Sequence, residues 1–263
     1  MADDTVMSEP DDRTAGQGRE AIFEPAYIRR LFDDMAGSYE RVNMITSFGF
    51  SRRWRRQAVE RLGARRGDAV ADWMTGMGEG WPYLARAVGP SGRISALDLS
   101  PRMLRGARER AARMATSTIE IREGNALESE VPDEAFDGVL ILFGVKTLDA
   151  EQHAGLAHEI GRVLRPGGRF SLIEVSVPPF PPLRVAYLFY LKRIIPFLGQ
   201  TMLGNPDTYR MLGVFTERFG TIEAMATALD RAGLETERTS HFFGCATGVS
   251  GRRPDPVRRI ATD

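Results

Sequence analysis

The chain has 263 residues, 43% of them hydrophobic, with 35 basic and 35 acidic side chains that leave no formal net charge. That is enough apolar material for one sizeable core. The even charge balance is not that of a general nucleic-acid binder, which usually carries a basic excess. Cys245 is the only cysteine, so no disulfide can form within the chain, and a reducing cytoplasm is the expected compartment.

The first twenty residues are acidic, lack the apolar centre of a secretory signal and read as a disordered tail. Residues 22–37 predict a helix, and residues 51–63 a second one ending at Gly63. Between them runs SYERVNMITSFGF, followed by the basic cluster RRWRR at 52–56, which suits either anionic headgroups or a solvated helix face. Strands and helices then alternate. DAVADW is strand-like and WPYLARAV helical; GRISALDLS is strand-like and 101–114 a strong helix with Pro101 in its first turn. IEIREGNA, the continuous apolar run FDGVLILFGV, a helix at 150–164 closed by RPGG, and RFSLIEVSV complete the series. This order predicts an α/β fold, a doubly wound, mostly parallel sheet covered on both faces. It spans 21–255 as a single domain.

At 178–220 the pattern breaks. PPFPPLRVAYLFYLKRIIPFLG is proline-rich, then aromatic and apolar, and reads as a helical cap inserted on the acceptor side. It could wall an apolar pocket, dip into a membrane surface or simply be buried. A helix at 221–233 and two strands, ETERTSHFF and CATGVSGRR, close the domain. No apolar run is long enough to span a bilayer.

The chemistry concentrates at ADWMTGMGEGW, residues 71–81. Asp72 ends the first strand, and the turn Gly76, Gly78 and Glu79 leads into a helix. Glycine lets backbone approach a ligand closely, and ligands of such sheets bind past the carboxyl ends of the strands. The turn is neither GxGxxG nor a phosphate loop with its lysine. Asp98, followed by Leu99, ends the second strand, where a carboxylate can accept both hydroxyls of a ribose. Asn125 and Ala126 follow the third strand, where a side chain could meet an adenine edge, and Phe143 ends the fourth.

Together these features resemble the class I S-adenosylmethionine-dependent methyltransferases, a Rossmann-like fold, although Met74 stands where a glycine often stands. The stretch FDDMAGSYERVNMITSFGFSRRWRR, with FDGVLILFG, EIGRVLRPGGR and NPDTYRMLG, is similar to the ubiquinone/menaquinone biosynthesis C-methyltransferases over residues 27–253. The resemblance implies S-adenosyl-L-methionine as donor and a lipophilic acceptor, a prenylated quinol methylated at ring carbon. Asp72, Gly76, Gly78, Glu79, Asp98, Leu99, Asn125, Ala126 and Phe143 would then hold the cofactor. Glu79 would meet the cofactor's ammonium or cap the next helix. Tyr39 and Asn43 would close over the site. Where that family carries an Arg-Asn pair, this chain has Lys146 and Thr147, which leaves open another acceptor, a phospholipid amine or a secondary metabolite, or a binding protein without methyl transfer. Lys146, His241 and Tyr39 are the candidate catalytic residues. His153 and His158 read as surface residues of the 151–164 helix, and Cys245 as structural. No metal site, no nucleic-acid partner, and an open question of a homodimer and of peripheral membrane contact complete the expectation.

Overall fold

The computed structural model describes residues 21–37, 42, 44, 47–114, 118–198 and 206–255. The acidic first twenty residues, Tyr39 and Asn43 lie outside them. The elements in chain order are α1 (Pro25–Met35), α2 (Phe50–Leu62), β1 (Ala69–Trp73), α3 (Trp81–Val88), β2 (Arg93–Asp98), α4 (Pro101–Ala112) and β3 (Thr118–Glu123). There follow β4 (Phe136–Leu142), α5 (Ala150–Val163), β5 (Leu164–Val175), α6 (Pro181–Phe189), α7 (Pro206–Phe219), α8 (Glu223–Arg231), β6 (Glu235–His241) and β7 (Ala246–Arg252).

The strands form one seven-stranded sheet in the order β3-β2-β1-β4-β5-β7-β6. β1 to β5 pair in parallel, and β7 runs antiparallel between β5 and β6. Every residue of β1 is buried, as a central strand with helices on both faces requires. Side chains alternate between two cores. Ala69, Ala71 and Trp73 pack with α5 and α8, while Val70 faces a cluster built on α2, α3 and α4. Each fully buried Leu or Phe contributes about 1.5–3 kcal/mol, and an exposed ion pair such as Arg61–Glu237 about 0–1 kcal/mol. The fold therefore rests on the two cores.

Local chemistry sets the helix starts. Ser100 accepts the Met103 N–H at 3.0 Å, with Pro101 next in the chain. Asp149 and Gln152 form a reciprocal capping box at the start of α5. RPGG does not stand between α5 and β5 as a separate turn: β5 already pairs at Leu164 with Phe136, and the register shifts before resuming at Arg169. The two phenylalanines expected to finish β6 leave the strand instead. Phe242 and Phe243 sit in a tight turn with φ of 45° and 56°.

A third apolar cluster joins α1, the cap and α7 through Ile28, Leu31, Leu191, Ile195, Tyr209 and Phe215. The inserted segment is helical, as its pattern predicts, but α6 passes into a π-helical stretch at Tyr190–Ile194. Such a bulge rotates the following residues about the helix axis. No helix among the described residues is long and apolar enough to cross a membrane.

The turn after β1 is packed too tightly to tolerate a side chain at Gly78. Its φ is +75°, and an added Cβ would lie 2.5 Å from the Trp81 ring. Gly155 has the opposite surroundings, with nothing within 4 Å of an added Cβ. Gly78→Ala should lower unfolding stability by about 2 kcal/mol or more, and Gly155→Ala should raise it by about 0.5–1 kcal/mol. Urea denaturation of the two variants measures both signs.

Candidate active site

The order of the sheet reverses between β1 and β4, and a cleft opens there past the carboxyl ends of β1, β2 and β4. Gly76, Glu79, Asp98, Leu99, Asn125, Ala126 and Phe143 line it, as the sequence suggests. Asp98 is held rigidly: Oδ2 accepts the Gly76 N–H at 2.8 Å, and Oδ1 accepts the Ser100 N–H at 2.9 Å. Each oxygen keeps a further lone pair for a ligand hydroxyl. Burial raises the Asp98 pKa to about 6 against the pull of those two N–H donors, with Glu79 adding repulsion.

Asp72 and Gly78 do not line the cleft, contrary to the assignment made from their spacing. Asp72 is 2% exposed beneath the turn. Its Oδ2 accepts the Thr75 hydroxyl and, at 2.8 Å, the Trp81 indole N–H. Burial lifts its pKa to about 7, even though both donors favour the ionised form. Asp72 thus shapes the turn from behind, and Gly78 makes room for Trp81. Met74 adopts φ +53°, a left-handed conformation that a glycine would take without strain. Its side chain fits because Gly144 lies opposite; a Cβ there would meet Met74 Sδ at 2.4 Å.

Glu79 does not cap α3. Its Oε2 accepts the Met77 N–H at 3.2 Å, and its Oε1 has no hydrogen-bond partner among the described residues. The nearest cation is Arg55, with Nη2 3.8 Å from Oε1, and both side chains are 9% exposed. A carboxylate and a guanidinium side by side in a cleft complement an amino-acid zwitterion. Arg55 was hidden in the basic cluster. Trp54 and Arg55 are buried, whereas Arg52, Arg53 and Arg56 are exposed, so the helix face is only partly solvated.

A second cavity of about 390 Å³ adjoins the first, and Arg55 and Phe143 line both. The guanidinium stacks over the Phe143 ring at 5.1 Å. Trp54, Leu183, Tyr187, Tyr190 and Leu191 make the second cavity largely apolar. Besides Arg55, Lys146 brings charge to it; the Lys146 Nζ donates to Glu174 Oε1 at 2.7 Å and to the Phe143 carbonyl at 3.3 Å. Glu174 is fully buried and also accepts the Lys146 and Val175 N–H groups. Thr147, the next residue, lines the first cleft and donates to the Gly144 carbonyl at 2.7 Å. The turn Val145–Thr147 therefore straddles the wall between the two spaces.

His153 is buried, not on the surface. The α5 face that carries it turns inward, and its Nε2 lies 2.9 Å from the Val145 carbonyl, so this nitrogen carries the proton. Burial lowers its pKa and keeps it neutral. It steadies the turn that presents Lys146. His158 is exposed, as expected. His241 does not meet the candidate site: half-buried at the end of β6, 3.2 Å from Thr239 Oγ1, it lines neither space. Cys245 is buried against the second cavity, and burial raises its pKa. Among the described residues no cluster of His, Cys, Asp and Glu could hold a metal ion.

The chain is similar to known proteins in sequence and in fold. The model of the ubiE/COQ5 methyltransferase family matches residues 21–251. A demethylmenaquinone methyltransferase of Desulfitobacterium hafniense (strain Y51) is 31% identical over 232 residues, 87% of this chain and 90% of the relative. One from Staphylococcus aureus (strain JH9) is 30% identical over 217 residues, 82% of this chain and 88% of the relative. A solved S-adenosylmethionine-dependent methyltransferase of Aquifex aeolicus shares the fold, with a TM-score of 0.54, 19% identity, and coverage of 76% of this chain and 89% of that one.

Two pH effects follow. Ribose hydroxyls need acceptor oxygens, so protonation of Asp98 below about pH 6 should weaken S-adenosylmethionine binding, with affinity level above about pH 7. Asp98→Asn should cost on the order of 2–3 kcal/mol of binding and flatten that profile in calorimetric titration. For Asp72 the folded pKa of about 7 lies above the reference 3.8, so the unfolded chain ionises first. Its ionisation therefore opposes folding, not at all below about pH 4 and fully above about pH 7. Thermal melts of the unliganded protein should show Asp72→Asn losing less stability than wild type as pH rises through that window.

Proposed function

The chain belongs to the ubiE/COQ5 methyltransferase family and is an S-adenosylmethionine-dependent methyltransferase; from that premise we propose that it methylates a ring carbon of a prenylated quinol. The observation that carries this reading is the apolar cavity of about 390 Å³ sharing the Arg55–Phe143 wall with the first cleft, with Lys146 a second buried cation beside Arg55. The names of the relatives, demethylmenaquinone methyltransferases, support the same acceptor class.

The residues present fit the cofactor. Asp98 offers free lone pairs for a diol, and Glu79 Oε1 lacks a hydrogen-bond partner beside the cation of Arg55. Asp98 would hold the ribose. Glu79 and Arg55 would hold the ammonium and carboxylate, and Asn125, Ala126 and Leu99 would flank the base. When bound, S-adenosylmethionine supplies an electrophilic methyl carbon on a cationic sulfur, which leaves with the bonding electron pair.

A phenol becomes a strong carbon nucleophile when its hydroxyl proton passes to water, and after methyl transfer the ring carbon gives up its own proton to water to restore the aromatic ring. Lys146 can stabilise the phenolate. Two of its three N–H groups are directed to Glu174 and Phe143, and the third is available to the acceptor's oxygen. In a water-poor cavity such a preorganised cation is worth far more than in solvent. Glu174 keeps Lys146 in place. Tyr187, its pKa raised by burial, stays protonated and directs its hydroxyl to the Cys245 carbonyl at 3.4 Å. The aromatic walls exclude water and orient the ring. His241 takes no part in this scheme, and Tyr39, outside the described residues, keeps the covering role its motif suggests.

Removing Lys146 alone would strand Glu174 as an unpaired buried charge. The informative variant is therefore Lys146→Met with Glu174→Gln. With a demethylated prenylquinol as acceptor, its kcat should fall about a hundredfold or more, with S-adenosylmethionine affinity within about twofold of wild type. Release of S-adenosylhomocysteine from the quinol but not from phosphatidylethanolamine supports the acceptor; the reverse preference refutes it.

A further inference from the structure

The acceptor cavity opens through a rim of aromatic side chains that point into solvent. Phe48 is 78% exposed and stacks on Tyr190 with ring centroids 6.0 Å apart. Phe242 packs on Phe50 at 4.4 Å and carries Phe243, 77% exposed, at its tip. Phe48, Phe242 and Phe243 all have positive φ, a conformation that bulky residues rarely adopt. Apolar residues held outward in strained turns are costly to a surface that meets only water.

The cap continues the rim. Leu183, Tyr187 and Leu191 face the cavity, while Val185 and Phe189 on the same helical segment are 71% and 60% exposed. This segment is thus apolar on two sides, one toward the acceptor and one outward. Basic side chains predominate in the segments that form the rim, with Lys192 paired to Glu217 of α7. Residues 178–198 contain Arg184, Lys192 and Arg193 and no acid, and residues 41–59 contain no acid either. Arg52, Arg53, Arg184 and Arg193 are exposed.

We propose that this rim is a docking surface for an anionic lipid bilayer, into which Phe48, Phe189 and Phe243 insert so that the cavity mouth opens onto the membrane. The entry route for the acceptor rests on the function proposed above; the docking itself rests on the exposed aromatics and the exposed arginines of the same segments. Aromatics at the headgroup level with cations beside anionic phosphates is the arrangement of an interfacial protein. A second copy of the chain fits less well, because a two-fold contact through this face would bring the same arginines together.

The test is flotation of the full chain with vesicles of phosphatidylcholine alone or mixed with phosphatidylglycerol, without acceptor. Wild type should bind the anionic vesicles, and binding should weaken as salt is raised. Phe189→Glu with Phe243→Glu should lower the partition coefficient at least about tenfold. Arg52→Glu with Arg53→Glu should lower it and reduce the salt dependence. Unchanged S-adenosylmethionine affinity would show that the variants are folded. Wild type that stays off anionic vesicles, or phenylalanine variants that bind as well as wild type, would overturn the proposal. So would a dimer in sedimentation that these substitutions dissociate, since a second copy would then cover the rim. Vesicle binding with no turnover of quinol would overturn the acceptor assignment and leave the docking surface standing.

Discussion

One buried carboxylate organises the candidate site. Asp72, next to last in the central strand, has one oxygen hydrogen-bonded to both Thr75 and Trp81, and through them it fixes the path of the turn. That path places the Gly76 N–H on Asp98 and the Glu79 carboxylate beside Arg55. Burying the charge is unfavourable, as its raised pKa records. The fold tolerates the cost because two cores, one on each face of the sheet, hold β1 between them. Stability is thus spent where the ligand must be positioned, the usual relation between a rigid scaffold and a strained site.

The wall between the two spaces gives the site its chemical logic. Methyl transfer needs donor and acceptor in contact with water kept out. Arg55 and Phe143 face both spaces, and the Val145–Thr147 turn sends Lys146 to one side and Thr147 to the other. His153, neutral and buried behind that turn, holds its first carbonyl. The second cavity is therefore largely apolar, with positive charge from Arg55 in the shared wall and from Lys146, which Glu174 balances. A cation in such surroundings favours an acceptor that becomes negative as it reacts, and a greasy cavity favours one with an apolar body.

Much of this was legible in the sequence. Alternating strand and helix patterns gave the sheet, because each strand buried on both faces reads as a continuous apolar run. Asp98, Asn125 and Phe143 could be placed beside the cleft because strand ends are marked by sharp changes of composition. What failed has physical causes. Asp72 and Gly78 were assigned to the ligand because spacing shows proximity but not which side of a turn a group faces. His153 was placed on the surface because one histidine on a helix carries no signal of the face it occupies. Arg55 was concealed in a run of arginines of which three are solvated, and only helical geometry separates it from them. His241 looked accessible to the site, yet its side chain lines neither space, although the next residue, Phe242, lines the second.

The central claim is that the methyl group is delivered to ring carbon. The most direct measurement is nuclear magnetic resonance of the product formed from S-adenosylmethionine labelled with carbon-13 in its methyl group and a demethylated prenylquinol. The account predicts a new methyl resonance at the chemical shift of an aromatic C–CH₃. A label found on oxygen or nitrogen, or an unlabelled quinol from an enzyme saturated with cofactor, would contradict it.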